Sequence, residues 1–278
     1  MEKILIFGGR GYIGGYLQTL YPHAITPPTD IADAQAVAAI LDQVKPTVVI
    51  NAAGKTGRPN VDWCETHKQE TIDSNILGPL NLLRECAKRN IYWVHIGSGC
   101  IYEGDNNGRG FDETDAPNFY GSFYSRSKAW SDQMLAEFSV LQLRLRMPFD
   151  GTEQPRNLIM KLKKYTRVLD QQNSLTYIPD FLKALEILIS KRETGVFNAV
   201  NPGTFSPFEI MTLYKEIVDP AHAFEQLSVT QLSDVVITGR SNCLIRSDKI
   251  QKAAMAFLPV ADAVKEALYA LKVESDKR

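Results

Sequence analysis

Residues 8–14 read Gly8-Gly9-Arg10-Gly11-Tyr12-Ile13-Gly14, directly after the apolar run Ile4-Leu5-Ile6-Phe7 and directly before a helical pattern. Glycines at every third position between a strand and a helix leave few folds open. A chain that turns tightly here brings backbone N–H groups close to a pyrophosphate and packs the helix against the strand, and both need positions without a Cβ. The N-terminus of the helix then faces the phosphates. Gly8, Arg10, Gly11, Tyr12, Ile13 and Gly14 are therefore candidate contacts of a dinucleotide.

The rest of the first half repeats the same alternation. Apolar runs predict strands at 3–8, 23–26, 47–51, 92–97 and 141–146, and amphipathic stretches predict helices at 12–20, 33–44, 71–89 and 124–138. Strands separated by helices of this length imply βαβ crossovers and a parallel, doubly wound α/β sheet. After Arg146 a loop with Pro148, Gly151 and Pro155 leads to a short helix at 158–165, a strand at 194–200, and helices at 208–217 and 260–268. The expected organisation is a Rossmann domain over 1–147, to which later segments return, and a smaller, interleaved α/β lobe mainly over 148–278.

Composition narrows the function. Lys plus Arg is 31 and Asp plus Glu is 32, a formal charge of −1. That gives no electrostatic footprint for nucleic acid or an anionic membrane. No apolar run approaches the ~18 residues of a membrane span, and no signal-peptide pattern is present. Cys64, Cys86, Cys100 and Cys243 are widely spaced without a C-x-x-C pair, which argues against zinc and for a reduced, cytoplasmic chain.

The cofactor preference follows from the second predicted strand. An NAD site expects an acid at its end to accept from the ribose 2′-OH. Here the strand ends Thr26-Pro27-Pro28, and the first acid is Asp30. No carboxylate opposes a 2′-phosphate, and Arg10 is placed to pair with one, so NADP(H) is expected to be preferred over NAD(H). Asp30 and Ile31 are expected to flank the adenine.

Tyr124-Ser125-Arg126-Ser127-Lys128 is a Y-x-x-x-K spacing, and positions i and i+4 share a helix face. A lysine ammonium beside a phenol lowers its pKa from about 10 toward neutrality. The tyrosine can then exchange a proton with a carbonyl oxygen while hydride moves at carbon. Ser98, at the exit of the fourth strand, is placed to donate to the same oxygen. Asn75, inside the preceding helix, is expected to help hold the lysine through water.

These motifs together resemble the extended short-chain dehydrogenase/reductases. Longer stretches are more specific: 51–65 (NAAGKTGRPNVDWCE), 99–103 (GCIYE), 117–125 (PNFYGSFYS), Arg144-Leu145-Arg146-Met147-Pro148 and Pro155-Arg156-Asn157. They resemble the UDP-4-keto-6-deoxyglucose 3,5-epimerase/4-reductases that complete UDP-L-rhamnose synthesis, a module found in plants alone or behind a dehydratase and in some large DNA viruses. The dTDP-4-keto-rhamnose reductases are more distant. The likeness runs from about residue 3 to residue 270 and includes Asn201-Pro202-Gly203 and Arg240-Ser241-Asn242.

The resemblance implies NADPH as reductant, UDP-4-keto-6-deoxy-D-glucose as substrate in a cleft between the lobes, and an upstream UDP-glucose 4,6-dehydratase as its supplier. It places Asn51, Ala52 and Ala53 against the cofactor and Arg240 against the UDP diphosphate. Thr56, Gly57, Arg58 and Asn60 would shape the sugar pocket, and uracil recognition would fall near Asn157 and the following helix, where the resemblance gives no single residue a role. For epimerisation, Cys100 lies two residues after Ser98, where the related GDP-fucose synthases also place an acid/base cysteine. Their second group, a histidine, has no counterpart among His23, His67, His95 and His222. The rhamnose family implies Lys161 in its place. A reductase without epimerase activity and a non-catalytic cofactor-binding subunit are the alternatives, and homodimer formation is left open.

Overall fold

The computed structural model describes residues 2–277 except residue 235, with 233–234 described in backbone only. The chain forms two compact units. The first comprises residues 1–101, 117–144 and 188–197, and the second residues 102–116, 145–187 and 198–278. They are equal in length, and residues 102–116, from within the first half, belong to the second.

In the first unit, β1 (Ile4–Phe7), β2 (Val48–Asn51) and β3 (Tyr92–Ser98) are parallel, with Ile4 beside Val48, Phe7 beside Asn51 and Asn51 beside His95. With β4 (Leu141–Leu145) and β6 (Gly195–Ala199) they make a five-stranded sheet of order β1-β2-β3-β4-β6. Helices α1 (Tyr12–Leu20) and α2 (Ala34–Val44) precede β2. Asp33 caps α2 by accepting from Gln35 and Ala36 N–H, each at 3.0 Å. After β3 comes α6 (Phe123–Ala136), capped by Ser122.

The strand expected at 23–26 is reduced to a single bridge, Ile25 against Leu5. Pro22, Pro27 and Pro28 surround it and donate no ladder hydrogen bonds. The bridge still fixes topology. Ile25 lies against β1 outside the strand order that begins β1-β2, so the chain leaves β1 to one side and then the other. This makes the C-terminal end of β1 the switch point, where open α/β sheets bind ligands. The glycine loop sits there.

The single helix expected at 71–89 is three pieces: α4 (Lys68–Ile72), a π-helical turn (Asp73–Leu77) and α5 (Gly78–Lys88). Gly78 N–H bonds back to Asp73 O, an i→i−5 step. Pro79 follows with no N–H to give. The bulge also needs Gly78, because a Cβ there would lie 2.4 Å from Ile31 Cγ1. A four-residue helix, α3 (Trp63–Thr66), lies before α4 and has no counterpart in the expectation.

The second unit packs α7 (Leu158–Leu162), α9 (Pro207–Ile217) and α11 (Val260–Ser275) around Phe149, Ile159, Tyr177, Met211 and Val264. It also holds the parallel pair β5 (Arg167–Leu169) and β7 (Glu225–Leu227), and α10 (Asp248–Ala253). Helix α7 is shorter than the expected 158–165. Helix α8 (Ile178–Ser190) was not anticipated, although buried Phe181, Ala184, Leu185, Leu188 and Ile189 recur at helical spacing. Among the described residues no helix is long and apolar enough to cross a membrane.

Candidate active site

The loop after β1 is shaped by absent side chains. Gly8 has φ +80°, and a Cβ there would lie 2.4 Å from Ala53 N. A Cβ on Gly14 would lie 2.1 Å from Gly8 O, so α1 can pack this closely only with glycine. Gly11 is the N-cap of α1 and offers no side chain to the helix end. Such a cradle of backbone N–H groups at a helix start fits a dinucleotide pyrophosphate. Arg10 is exposed at its rim. Tyr12 and Ile13 are half-buried. Asp30 is exposed and accepts from Ala32 N–H.

Two residues expected at the cofactor are buried. The Ile31 side chain is in the core cluster with Val37 and Leu82. Asn51 is fully buried and its amide is engaged inside the fold: Oδ1 accepts from Ala53 N–H at 3.0 Å, and Nδ2 donates to His95 Nδ1 at 3.1 Å. Burial holds the His95 imidazole down to about 3, helped by the Lys128 charge, so this ring stays neutral. Asn51 thus shapes the Ala52-Ala53 turn from beneath.

The catalytic candidates converge on the exit of β3. Tyr124 and Lys128 lie one turn apart on α6, both buried. Tyr124 OH donates to Ser98 Oγ at 3.3 Å, and Cys100 N–H donates to the same oxygen at 3.1 Å. A serine oxygen accepts twice and donates once. Both contacts use it as acceptor, and its own proton is engaged by neither. The Cys100 thiol is half-buried on the same turn.

The Lys128 ammonium has no hydrogen-bond or ion-pair partner among the described residues. Burial pulls it down to about 8, opposed by the charges of Cys100, Cys64 and Asp132. It reaches the turn after β2, where a Cβ on Gly54 would lie 3.2 Å from Nζ. A buried, unpartnered cation beside a glycine is a place for hydroxyl groups of a ligand. The family model of the RmlD substrate binding domain matches residues 1–237. The chain belongs to the RmlD family.

Two plant relatives and one solved structure place this RmlD-family chain more closely. A bifunctional dTDP-4-dehydrorhamnose 3,5-epimerase/dTDP-4-dehydrorhamnose reductase of Arabidopsis thaliana is 37% identical over 99% of this chain and 94% of its own length. A trifunctional UDP-glucose 4,6-dehydratase/UDP-4-keto-6-deoxy-D-glucose 3,5-epimerase/UDP-4-keto-L-rhamnose-reductase of the same plant is 38% identical over 99% of this chain, which spans 42% of that enzyme. The crystal structure of the L780 UDP-rhamnose synthase from Acanthamoeba polyphaga mimivirus superposes with a TM-score of 0.93 at 32% identity, covering 97% of this chain and 99% of that one.

The remaining candidates of this RmlD-family chain divide. Asn75 is fully buried in the π turn, where its Oδ1 accepts from Lys55 N–H at 2.8 Å and its Nδ2 donates to Lys55 O and Ser127 Oγ. It therefore pins the loop after β2 to α6, and its Oδ1 lies on the same side of Gly54 as the Lys128 ammonium. Thr56, Gly57 and Asn60 lie half-buried in that loop and Arg58 is exposed. Gly57 has φ +72°, and a Cβ there would strike Trp63 Cβ at 2.5 Å.

In the second unit, Lys161 is exposed in the last turn of α7. Arg240 is half-buried and donates to Thr238 O. Asn157 is corrected. It is fully buried, caps α7 by accepting from Ile159 N–H, and donates to Asp150 and Thr152 O. No polar atom of it remains for a uracil. Glu65, a carboxylate at the start of the catalytic helix, was missed; no local motif marks it.

Proposed function

We propose that this chain converts UDP-4-keto-6-deoxy-D-glucose to UDP-L-rhamnose, inverting C3 and C5 and reducing C4 with NADPH. The observation that carries the reading is the Ser98 hydroxyl, with its acceptor positions filled by Tyr124 and Cys100 beside a buried, unpartnered lysine. Likeness over nearly the whole chain to the bifunctional plant enzyme and the viral UDP-rhamnose synthase supports both the sugar and the two-step chemistry. The trifunctional plant enzyme joins these steps to a UDP-glucose 4,6-dehydratase, which supports such an enzyme as supplier of the substrate.

Ser98 and Tyr124 bind the C4 carbonyl oxygen. During epimerisation they hold the enolate charge as an oxyanion hole. Cys100, on the turn that carries Ser98, moves the α-proton on one face, and Lys161 on the other. In the reduction Tyr124 gives its phenolic proton to the C4 oxygen, and Lys128 stabilises the phenolate left behind. Bound NADPH supplies the hydride to C4. Gly8, Gly11, Gly14 and Arg10 hold the dinucleotide, with Lys128 at its ribose. Arg240 binds the UDP diphosphate.

The decisive assay supplies the 4-keto sugar nucleotide with NADPH and identifies the product. UDP-L-rhamnose is the expected product; unchanged substrate with an active wild-type preparation overturns the reading. Reduction of an already epimerised ketone alone marks a reductase that depends on a separate epimerase.

Two further outcomes separate the parts. In deuterated water without NADPH, wild type washes deuterium into C3 and C5. Cys100→Ser, which keeps nearly the same volume but carries a group of far higher pKa, and Lys161→Met each lose exchange at one or both carbons. Each still reduces a pre-epimerised ketone. Full exchange in both variants removes these residues from the epimerisation. For the cofactor, calorimetry is expected to give a smaller Kd for NADPH than for NADH, and Arg10→Ala narrows the gap. Equal constants in wild type remove Arg10 from the 2′-phosphate role.

A further inference from the structure

Helix α6 carries Tyr124 and Lys128, so its first turn sets the position of the phenol. Ser122 and Glu65 both hold that turn. Ser122 is the local cap and accepts from Ser125 N–H at 3.1 Å. The other comes from 58 residues earlier in the chain: Glu65 Oε1 accepts from Phe123 N–H at 2.5 Å. The first N–H groups of a helix have no partner inside it, and a carboxylate there makes a charge-assisted bond and opposes the positive end of the dipole. Glu65 Oε2 also lies 3.6 Å from Arg126 Nη2. Arg126 donates to Tyr120 O and, with Lys68, stands 5.6 Å from the Phe123 ring.

Glu65 belongs to the short helix α3, which ends the loop after β2. That loop is fastened at its other end too, where Asn75 holds both the N–H and the carbonyl of Lys55 and donates to Ser127 on α6. Between the fastenings lie Thr56, Gly57, Arg58 and Asn60. Gly57 is wedged against Trp63, and the Trp63 ring stacks on His67 with centroids 4.0 Å apart. Residues 55–65 are thus a strap tied to α6 at Ser127 and at Phe123, one tie on each side of Tyr124.

We infer that Glu65 is a positioning residue: through the Phe123 N–H it fixes the first turn of α6 to the 55–65 strap, so that the sugar-binding loop and the Tyr124 hydroxyl are held in one register. It touches neither cofactor nor the reacting atoms. The inference rests on the function proposed above for its catalytic consequence, but the tie itself can be read without turnover.

The test compares Glu65→Ala with Glu65→Gln. Glutamine keeps an oxygen to accept from Phe123 N–H; alanine does not. Hydrogen exchange of the whole protein should show faster exchange at 123–126 in Glu65→Ala, with 130–136 unchanged and Glu65→Gln close to wild type. In the reductase assay Glu65→Ala should lose ~10- to 100-fold in kcat, the scale of a small misplacement of a reacting group. NADPH affinity should be unchanged, and Glu65→Gln should recover to within about threefold of wild type.

Wild-type exchange at 123–126 in Glu65→Ala overturns the tie. Faster exchange with kcat kept within twofold overturns the positioning role. Equal losses in Glu65→Gln and Glu65→Ala would assign the effect to charge and overturn the hydrogen-bond account. If wild type turns over no 4-keto sugar nucleotide, the proposed function fails, and the exchange data still decide the tie.

Discussion

Tyr124→Phe is expected to fold as wild type does and to oxidise NADPH ~10²- to 10⁴-fold more slowly with the 4-keto sugar, because only the proton donor is lost. The ring is buried and stays, so its packing is kept. The variant loses the 3.3 Å contact to Ser98, whose oxygen still accepts from Cys100 N–H. A single such bond is worth ~1 kcal/mol, so thermal melting should shift by only a few degrees. NADPH binding measured by calorimetry should be little changed. A variant that keeps more than half of wild-type turnover would show that another group delivers the proton to the C4 oxygen.

That Tyr124 can be proposed from sequence reflects how local its signal is. Tyr124 and Lys128 are four residues apart on one helix, and Gly8, Gly11 and Gly14 share one turn. Chemistry that lies within a single element leaves its spacing in the chain. Ser98 is nearly as legible, because it ends a strand whose apolar run is plain. The Asp33 cap was readable for the same reason, and α2 begins where its side chain says it should.

The misreadings have tertiary causes. Asn75 was placed on a continuous helix, but Gly78 and Pro79 open a π turn that aims its amide at Lys55 and Ser127. Asn157 and Asn51 sit in family motifs, and the motifs do not tell whether an amide faces a ligand or the interior. Their hydrogen bonds go to Ile159, Asp150 and Thr152, and to Ala53 and His95, so each holds up a turn within its own unit. Glu65 meets Phe123 across 58 residues, and no periodicity encodes such a pair. Polar side chains that shape a site from below are the group sequence patterns resolve least, since their partners are backbone atoms.

Lys128→Met should abolish turnover and yet make the ligand-free protein more stable at neutral pH. The lysine lies in a buried position, the Asp132 carboxylate that acts on it is paired with Arg144, and burial lowers the lysine from 10.5 to about 8. A lysine lowered in the folded state is held there at a cost while it is charged. Between pH 8 and 10.5 the unfolded chain binds more protons here than the folded one, so folding stability rises with pH across that window. Below about pH 8 the whole penalty applies, roughly 3 kcal/mol at one pKa unit per ~1.4 kcal/mol. Methionine keeps the unbranched stem and removes the charge. At pH 7 its melting temperature should exceed that of wild type by several degrees, and the gap should close toward pH 10. Turnover should fall at least ~10²-fold, because no cation remains beside the phenolate or the enolate. Saturating NADPH should raise the melting temperature of wild type more than that of the variant, since its ribose hydroxyls give the ammonium the partners the protein withholds. A variant less stable than wild type at pH 7, or a gap that does not change with pH, would mean that this ammonium is already compensated within the fold and is not reserved for ligand.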